Sequence, residues 1–114
     1  MEEKVKIFKA LSDANRLRIL KILQEKSLCV CEIKEVLQLA NSTVSQHLSL
    51  LKETGFIIEA KEGKWVNYMI NPKPDNPIVS SILAMLVFWL QDEITIQNDL
   101  KIICDVDRNV ICNK

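Results

Sequence analysis

The apolar residues of this chain change period once, at Gly55, and that change limits the folds open to it. Before Gly55 they recur at helical spacing; after it they alternate. Over residues 42–53, Val44, Leu48 and Leu51 mark one helical face, with Asn41 or Ser42 as cap and Gly55 as terminator. A shorter helix over 30–39 precedes it, with Ile33, Val36 and Leu37 inward and Ala40-Asn41 as the turn. Two helices joined so tightly form a helix-turn-helix unit. Residues 56–61 and 64–70 then read as strands reversed at Glu62-Gly63. A hairpin in that place is a wing. The expected fold class is therefore mainly α with a small β-hairpin, a winged helix-turn-helix.

The flanks read as helices too. Residues 2–11 place Val5, Phe8 and Leu11 on one face, and Ser12 or Asp13 caps a helix over 14–24. In that helix Leu17, Leu20 and Leu23 face inward, with Arg16, Arg18 and Lys21 outward. All three prolines fall within 71–77, the only linker-like stretch, and Pro77 opens a helix expected to run to about residue 103. Its segment 78–90 has eleven apolar residues in thirteen, short of the roughly 18–20 that span a bilayer. One stripe is Ile78, Ile82, Met85 and Trp89, another Val79, Leu83, Leu86 and Leu90. A helix apolar nearly all round is covered on several sides. In a chain of 114 residues, a second copy is the natural cover. The expected organisation is one domain, 1–114. Its DNA-binding core is 12–70, with the wing at 56–70, and segments 1–11 and 77–109 build a homodimer.

Charge alone does not suggest nucleic acid. The net charge is zero: residues 1–70 carry eleven Lys/Arg against nine Asp/Glu, and residues 71–114 four against six. The DNA reading rests on position. Off the core stripe of the second helix lie Ser42, Thr43, Ser45, Gln46, His47, Ser49 and Lys52, and the wing adds Lys61, Lys64 and Asn67. Hydroxyls of this kind contact phosphates or bases, and Gln46 has the amide that reads an adenine edge. A solvated helix face is the plainer account of the same residues. His47 is the only histidine, so no imidazole metal site can form.

Four cysteines stand in a chain with no visible export signal. They are expected to be thiols in a reducing, cytoplasmic setting rather than a disulfide framework. Cys29-Val30-Cys31 is the sharpest feature. On an ideal helix two such thiols point about 200° apart and cannot share an ion. At a helix start, with Cys29 non-helical, both sulfurs can converge, and an ion drawing them together would distort the helix that begins there. The plainer reading is that cysteines pack as small hydrophobes. Cys104 and Cys112 would lie roughly 12 Å apart on an unbroken helix, so both do not easily join one site. Thiolate-rich sites select soft ions, As(III) or Sb(III), alternatively Cd(II) or Pb(II).

The segments NRLRILKIL (15–23), LCVCEI (28–33), STVSQHLSLLKETGFI (42–57) and EGKWVNY (62–68) together resemble the ArsR/SmtB family of bacterial metal-responsive repressors. The resemblance implies a homodimer that binds double-stranded operator DNA without metal and releases it when metal binds. It departs from the family's subtypes in informative places. Where the best-known arsenic sensors carry a third cysteine, this chain has Lys34; it has no N-terminal cysteines and no histidine on the last helix. The resemblance therefore implies a third ligand from Cys104 or Cys112, joining Cys29 and Cys31. A redox or persulfide-sensing repressor, and a thiol or metal-buffering protein without DNA, are the other readings. Catalysis is not expected: no general base, oxyanion donor or phosphate-binding glycine loop accompanies the thiols, and C-x-C is not C-x-x-C.

Overall fold

Helix α1, Glu2–Ala10, leads into α2, Ala14–Glu25; the two-residue strand β1, Leu28–Cys29, passes straight into α3, Val30–Leu37. Helix α4 is Asn41–Glu53, followed by β2, Ile57–Glu62, and β3, Trp65–Ile70; α5, Pro77–Leu86, and α6, Ile94–Asp105, complete the chain. This is a computed structural model, and it describes residues 1–106. The sheet order is β1-β3-β2, antiparallel throughout. In it Leu28 pairs with Tyr68 and Cys29 with Asn67, while the wing runs from Ile57–Ile70 to Glu62–Trp65.

The signals that start and stop these elements are local. Asp13 caps α2, its carboxylate accepting from the Asn15 and Arg16 N–H groups at 2.8 and 3.2 Å. Asn76 caps α5 by accepting from the Ile78 N–H, with Pro77 in the first turn. Gly55 follows α4 at φ +90, and Gly63 opens the two-residue wing loop at φ +60, conformations that a side chain resists. The loop is thus Gly63-Lys64, one residue beyond the expected Glu62-Gly63.

The core joins Ile19, Leu20, Ile22 and Leu23 of α2 to Ile33, Val44, Leu48, Leu51, Phe56 and Ile57, and to Val79 and Leu86 of α5. Each such Leu or Ile contributes roughly 1.5–3 kcal/mol by leaving water. On α1 Ile7 and Ala10 are buried, while Val5 and Phe8 of its apolar face are exposed. Two expectations are corrected. Arg16, Arg18 and Lys21 do not look outward: Arg16 turns onto the end of α1 and His47 of α4, α6 and α5 lie over the Arg18 and Lys21 face of α2, and Lys21 is buried. The segment after Pro77 is two helices, not one, broken at 87–93 with Leu90 at φ +66. An unbroken helix of roughly 27 residues would be about 40 Å long, nearly the 44 Å longest extent of the whole molecule. Folding it back lets both halves cover α2.

Replacing Asp13 by Ala should lower stability by about 1 kcal/mol, and by Asn much less, as thermal unfolding would read. Burial acts to raise the Asp13 pKa, but the Arg16 and Asn15 N–H groups outweigh it and the net shift is downward. Its contribution is therefore present near neutrality and fades as pH falls through that depressed value.

Candidate thiolate site and nucleic-acid face

Cys29 occupies two structures at once. It is the second residue of β1, in register with Asn67 of the wing strand, and it is the N-cap of α3 in extended conformation. A capping box holds it: the Cys29 N–H donates to Glu32 Oε1 at 3.0 Å, and the Glu32 N–H faces the Cys29 sulfur. Cys29 and Glu32 are both buried, and Cys31 is half-buried in the first turn of α3. Burial first, and then the Glu32 carboxylate, push the Cys29 thiol up against the opposing pull of the Glu32 N–H. This thiol keeps its proton at neutral pH.

Cys104 is exposed on the last full turn of α6, its thiol donating to the Leu100 carbonyl at 3.4 Å. With Leu100 and Ile103 it lines a groove against Glu25 and Lys26, at the end of α2 and three positions before Cys29. The expected ligand Cys112 lies outside the described residues. Among the described residues no three Cys, His, Asp or Glu side chains are grouped closely enough to hold an ion. The donor chemistry of Cys29 and Cys31 suits a thiophilic ion. The three-sulfur geometry is not assembled in this conformation.

On α4, Ser42, Ser45, Gln46, Ser49 and Lys52 are exposed, and Thr43 and His47 are half-buried. Lys52 pairs with Glu59 of β2, and Lys6 with Glu53. Lys61 and Lys64 are exposed on the wing, the Lys64 ammonium 4.9 Å from the Trp65 ring centre. Asn67 departs from the expectation of a wing contact with DNA. It is buried and donates to Glu62 at 2.8 Å, flanked in the sheet register by Cys29 of β1 and Ala60 of β2.

Sequence reasoning missed the group that fixes α4 against the first two helices. Arg16 Nε donates to the Ala10 carbonyl at 2.7 Å, Nη2 to the Lys9 carbonyl at 3.1 Å, and Nη1 lies 3.2 Å from His47 Nδ1. One guanidinium thereby ties α1, α2 and α4 together. Arginine only donates, so His47 Nδ1 is the acceptor in this contact. Also missed were Arg18, Lys21 and Gln24, which bind Asp99, the Leu86 carbonyl and the Leu83 carbonyl. Their spacing of three, parallel to that of the leucines, was the available signal.

The family profile described as "Bacterial regulatory protein, arsR family" matches residues 13–59. The arsenical resistance operon repressor of Escherichia coli is 41% identical over 69 residues, 60% of this chain and 59% of that protein. A helix-turn-helix transcriptional regulator of Methanocaldococcus jannaschii is 46% identical over 70 residues, 60% of this chain and 79% of that one. HlyU of Vibrio cholerae superimposes with a TM-score of 0.64 at 30% identity, over 79% of this chain and 95% of its own. The chain thus spans little more than half the length of the arsenical repressor it matches. Among the described residues no helix is long and apolar enough to cross a membrane.

Exposure orders the thiols. With a limiting alkylating reagent, peptide mass spectrometry should find Cys104 modified well before Cys29, whose thiol is both buried and held protonated. Equal rates would contradict the arrangement described above.

Proposed function

The chain belongs to the ArsR family of bacterial regulatory proteins, and we propose that it is a homodimeric transcriptional repressor that releases operator DNA when As(III) or Sb(III) binds Cys29, Cys31 and Cys104. The observation that carries this reading is the double role of Cys29. As the N-cap of α3 it leads into the helix packed against α4, and as part of β1 it is paired with the wing strand β3. A ligand that pulls on this sulfur strains both parts of the DNA-reading unit at once. Cys104 is favoured over Cys112 because its groove adjoins Glu25 and Lys26, just ahead of Cys29.

The DNA-facing set in this reading is Ser42, Thr43, Ser45, Gln46 and Ser49 on α4, with Lys52, Lys61 and Lys64 meeting phosphates. His47 orients α4 through Arg16, and Asn67 couples β1 to the wing. The second copy is supported by Val5 and Phe8 on α1 and by Met85, Val87, Phe88 and Ile94 around the α5–α6 junction. All are between 44% and 71% exposed, an apolar surface a lone domain rarely leaves in water. The thiols are kept reduced in a cytoplasmic setting.

Arsenous acid condenses with thiols, forming one S–As bond and one water for each thiol, with no net proton released. Cd(II) or Pb(II) must instead expel the proton that burial and Glu32 hold on Cys29. Cd(II) affinity is therefore expected to rise with pH towards the raised Cys29 pKa, while arsenite affinity stays flat around neutral pH. Isothermal titration in buffers of different ionisation enthalpy separates the two.

The direct test is a gel shift with DNA upstream of the protein's own gene, titrated with arsenite, antimonite, Cd(II) and Pb(II). Arsenite should release the wild-type protein and leave a Cys29→Ser, Cys31→Ser variant bound. Normal release by that variant would remove the thiolate assignment, and no binding of DNA at low salt would remove the repressor reading. In a Trp89→Phe background, Trp65 at the wing tip should change its emission on arsenite binding; an unchanged spectrum would rule out coupling through the β1–β3 ladder.

A further inference from the structure

We propose that the buried Arg18–Asp99 ion pair is the latch that positions Cys104 of the same chain for the thiolate site; this rests on the reading of Cys29 and Cys31 given above. Both Asp99 oxygens are taken by Arg18, Nε to Oδ2 at 2.8 Å and Nη2 to Oδ1 at 2.9 Å, and Arg18 Nη1 also donates to Asn15 at 3.1 Å. Asp99 is only 2% exposed. The two partners are 81 positions apart in the chain, so the pair joins α2 directly to the end of the molecule.

Stability alone is a poor reason for a carboxylate here. Asp99 sits between Ile96 and Ile103 on the buried face of α6, where an apolar residue would pack without desolvating a charge. Buried pairs are often neutral or worse than apolar replacements, and their best-attested use is to set registry. Hydrophobic contact is non-directional; a bidentate guanidinium–carboxylate fork fixes both position and angle. With α5 held separately by Lys21 and Gln24 on the Leu86 and Leu83 carbonyls, the fork sets how α6 lies on α2 and α3.

That placement bears on the thiols. Helix α6 runs alongside α2 in the same direction, with Asp99 beside Arg18 and Cys104 beside Glu25 and Lys26. Cys104 follows Asp99 by about 7.5 Å of helix rise, at the end of α2 that leads into Cys29. Its sulfur is turned back onto the Leu100 carbonyl. In this proposal the turn beyond Asp99 is the part that yields for Cys104 to approach Cys29 and Cys31, and the latch confines the change to that turn.

The experiment compares wild type, Cys104→Ser, Asp99→Asn and the Asp99→Asn, Cys104→Ser double variant, all full length. The probe is arsenite. The readouts are sulfur coordination number by X-ray absorption, arsenic–thiolate absorbance, and DNA affinity without arsenite. Asp99→Asn is expected to drop from three sulfurs towards two and to weaken arsenite binding towards the level of Cys104→Ser. DNA affinity without arsenite is expected to stay at the wild-type value. The double variant should lose no more than Cys104→Ser alone, since both changes remove one function.

If Asp99→Asn does not fold, Arg18→Leu with Asp99→Leu replaces the pair by apolar contact and carries the same expectation. Three sulfurs at wild-type affinity without the pair, or losses that add in the double variant, would overturn the latch. A wild type that binds through two sulfurs, with Cys104→Ser indistinguishable from it, overturns the latch while sparing Cys29 and Cys31. Full arsenite-triggered release by the Cys29→Ser, Cys31→Ser variant overturns the site reading and the latch together.

Discussion

Leu28 and Cys29 form the shortest strand in the molecule, and their pairing with Tyr68 and Asn67 joins the helical half to the wing. Without it, β2 and β3 would be a two-stranded hairpin held only by its packing on α2 and α4. With it, β3 becomes a central strand, Asn67 is buried, and Cys29 is held with its carbonyl side leading into α3. The position of the C-x-C pair follows from this. Cys29 is extended because it belongs to a ladder, and Cys31 is helical because α3 begins at Val30. The two thiols are thereby freed from the opposed directions of an unbroken helix.

Helix α2 organises the remainder. Its leucine and isoleucine faces pack on α4 and the sheet, and its polar residues receive the C-terminal helices. Lys21 shows the logic: burial lowers its pKa, partly offset by Glu25, while its ammonium donates to the Leu86 carbonyl at 2.9 Å where α5 ends. Arg18 moves the other way, its pKa raised by the hydrogen bonds to Asp99 against the effect of burial. Arg16 completes the set by joining the end of α1 to His47 on α4. Three side chains within two turns of one helix thus hold α1, α4 and both C-terminal helices.

Much of this was legible before any coordinates. The helix-turn-helix and wing boundaries fell within a residue or two, because caps, Gly55 and the change of period are local signals. The exposed set on α4 was legible for the same reason, since Val44, Leu48 and Leu51 fix the inner face and leave the serines and Gln46 outside. The errors were of one kind. From the sequence, Arg16, Arg18 and Lys21 face solvent, Asn67 stands on a free wing face and residues 77–103 form one helix. Each depends on what lies across from it, and no Gly or Pro at 87–93 announces the break.

The sequence by itself determined the helix-turn-helix, the wing hairpin, the exposed face of α4 and the thiol pair at a helix mouth, since each follows from the residues' own period, caps and donor chemistry; β1 and the break between α5 and α6 were not legible in it. The tertiary structure alone decided that Cys29 is shared between a strand and a helix cap, that Asn67 is buried, and that Cys104 stands at the end of α2. These depend on a strand pairing some forty positions apart in the chain and on an ion pair some eighty apart. Contacts that distant are set by closing the chain around a common core, where burial and hydrogen-bond satisfaction choose the partner. Local propensity has no hold on that choice.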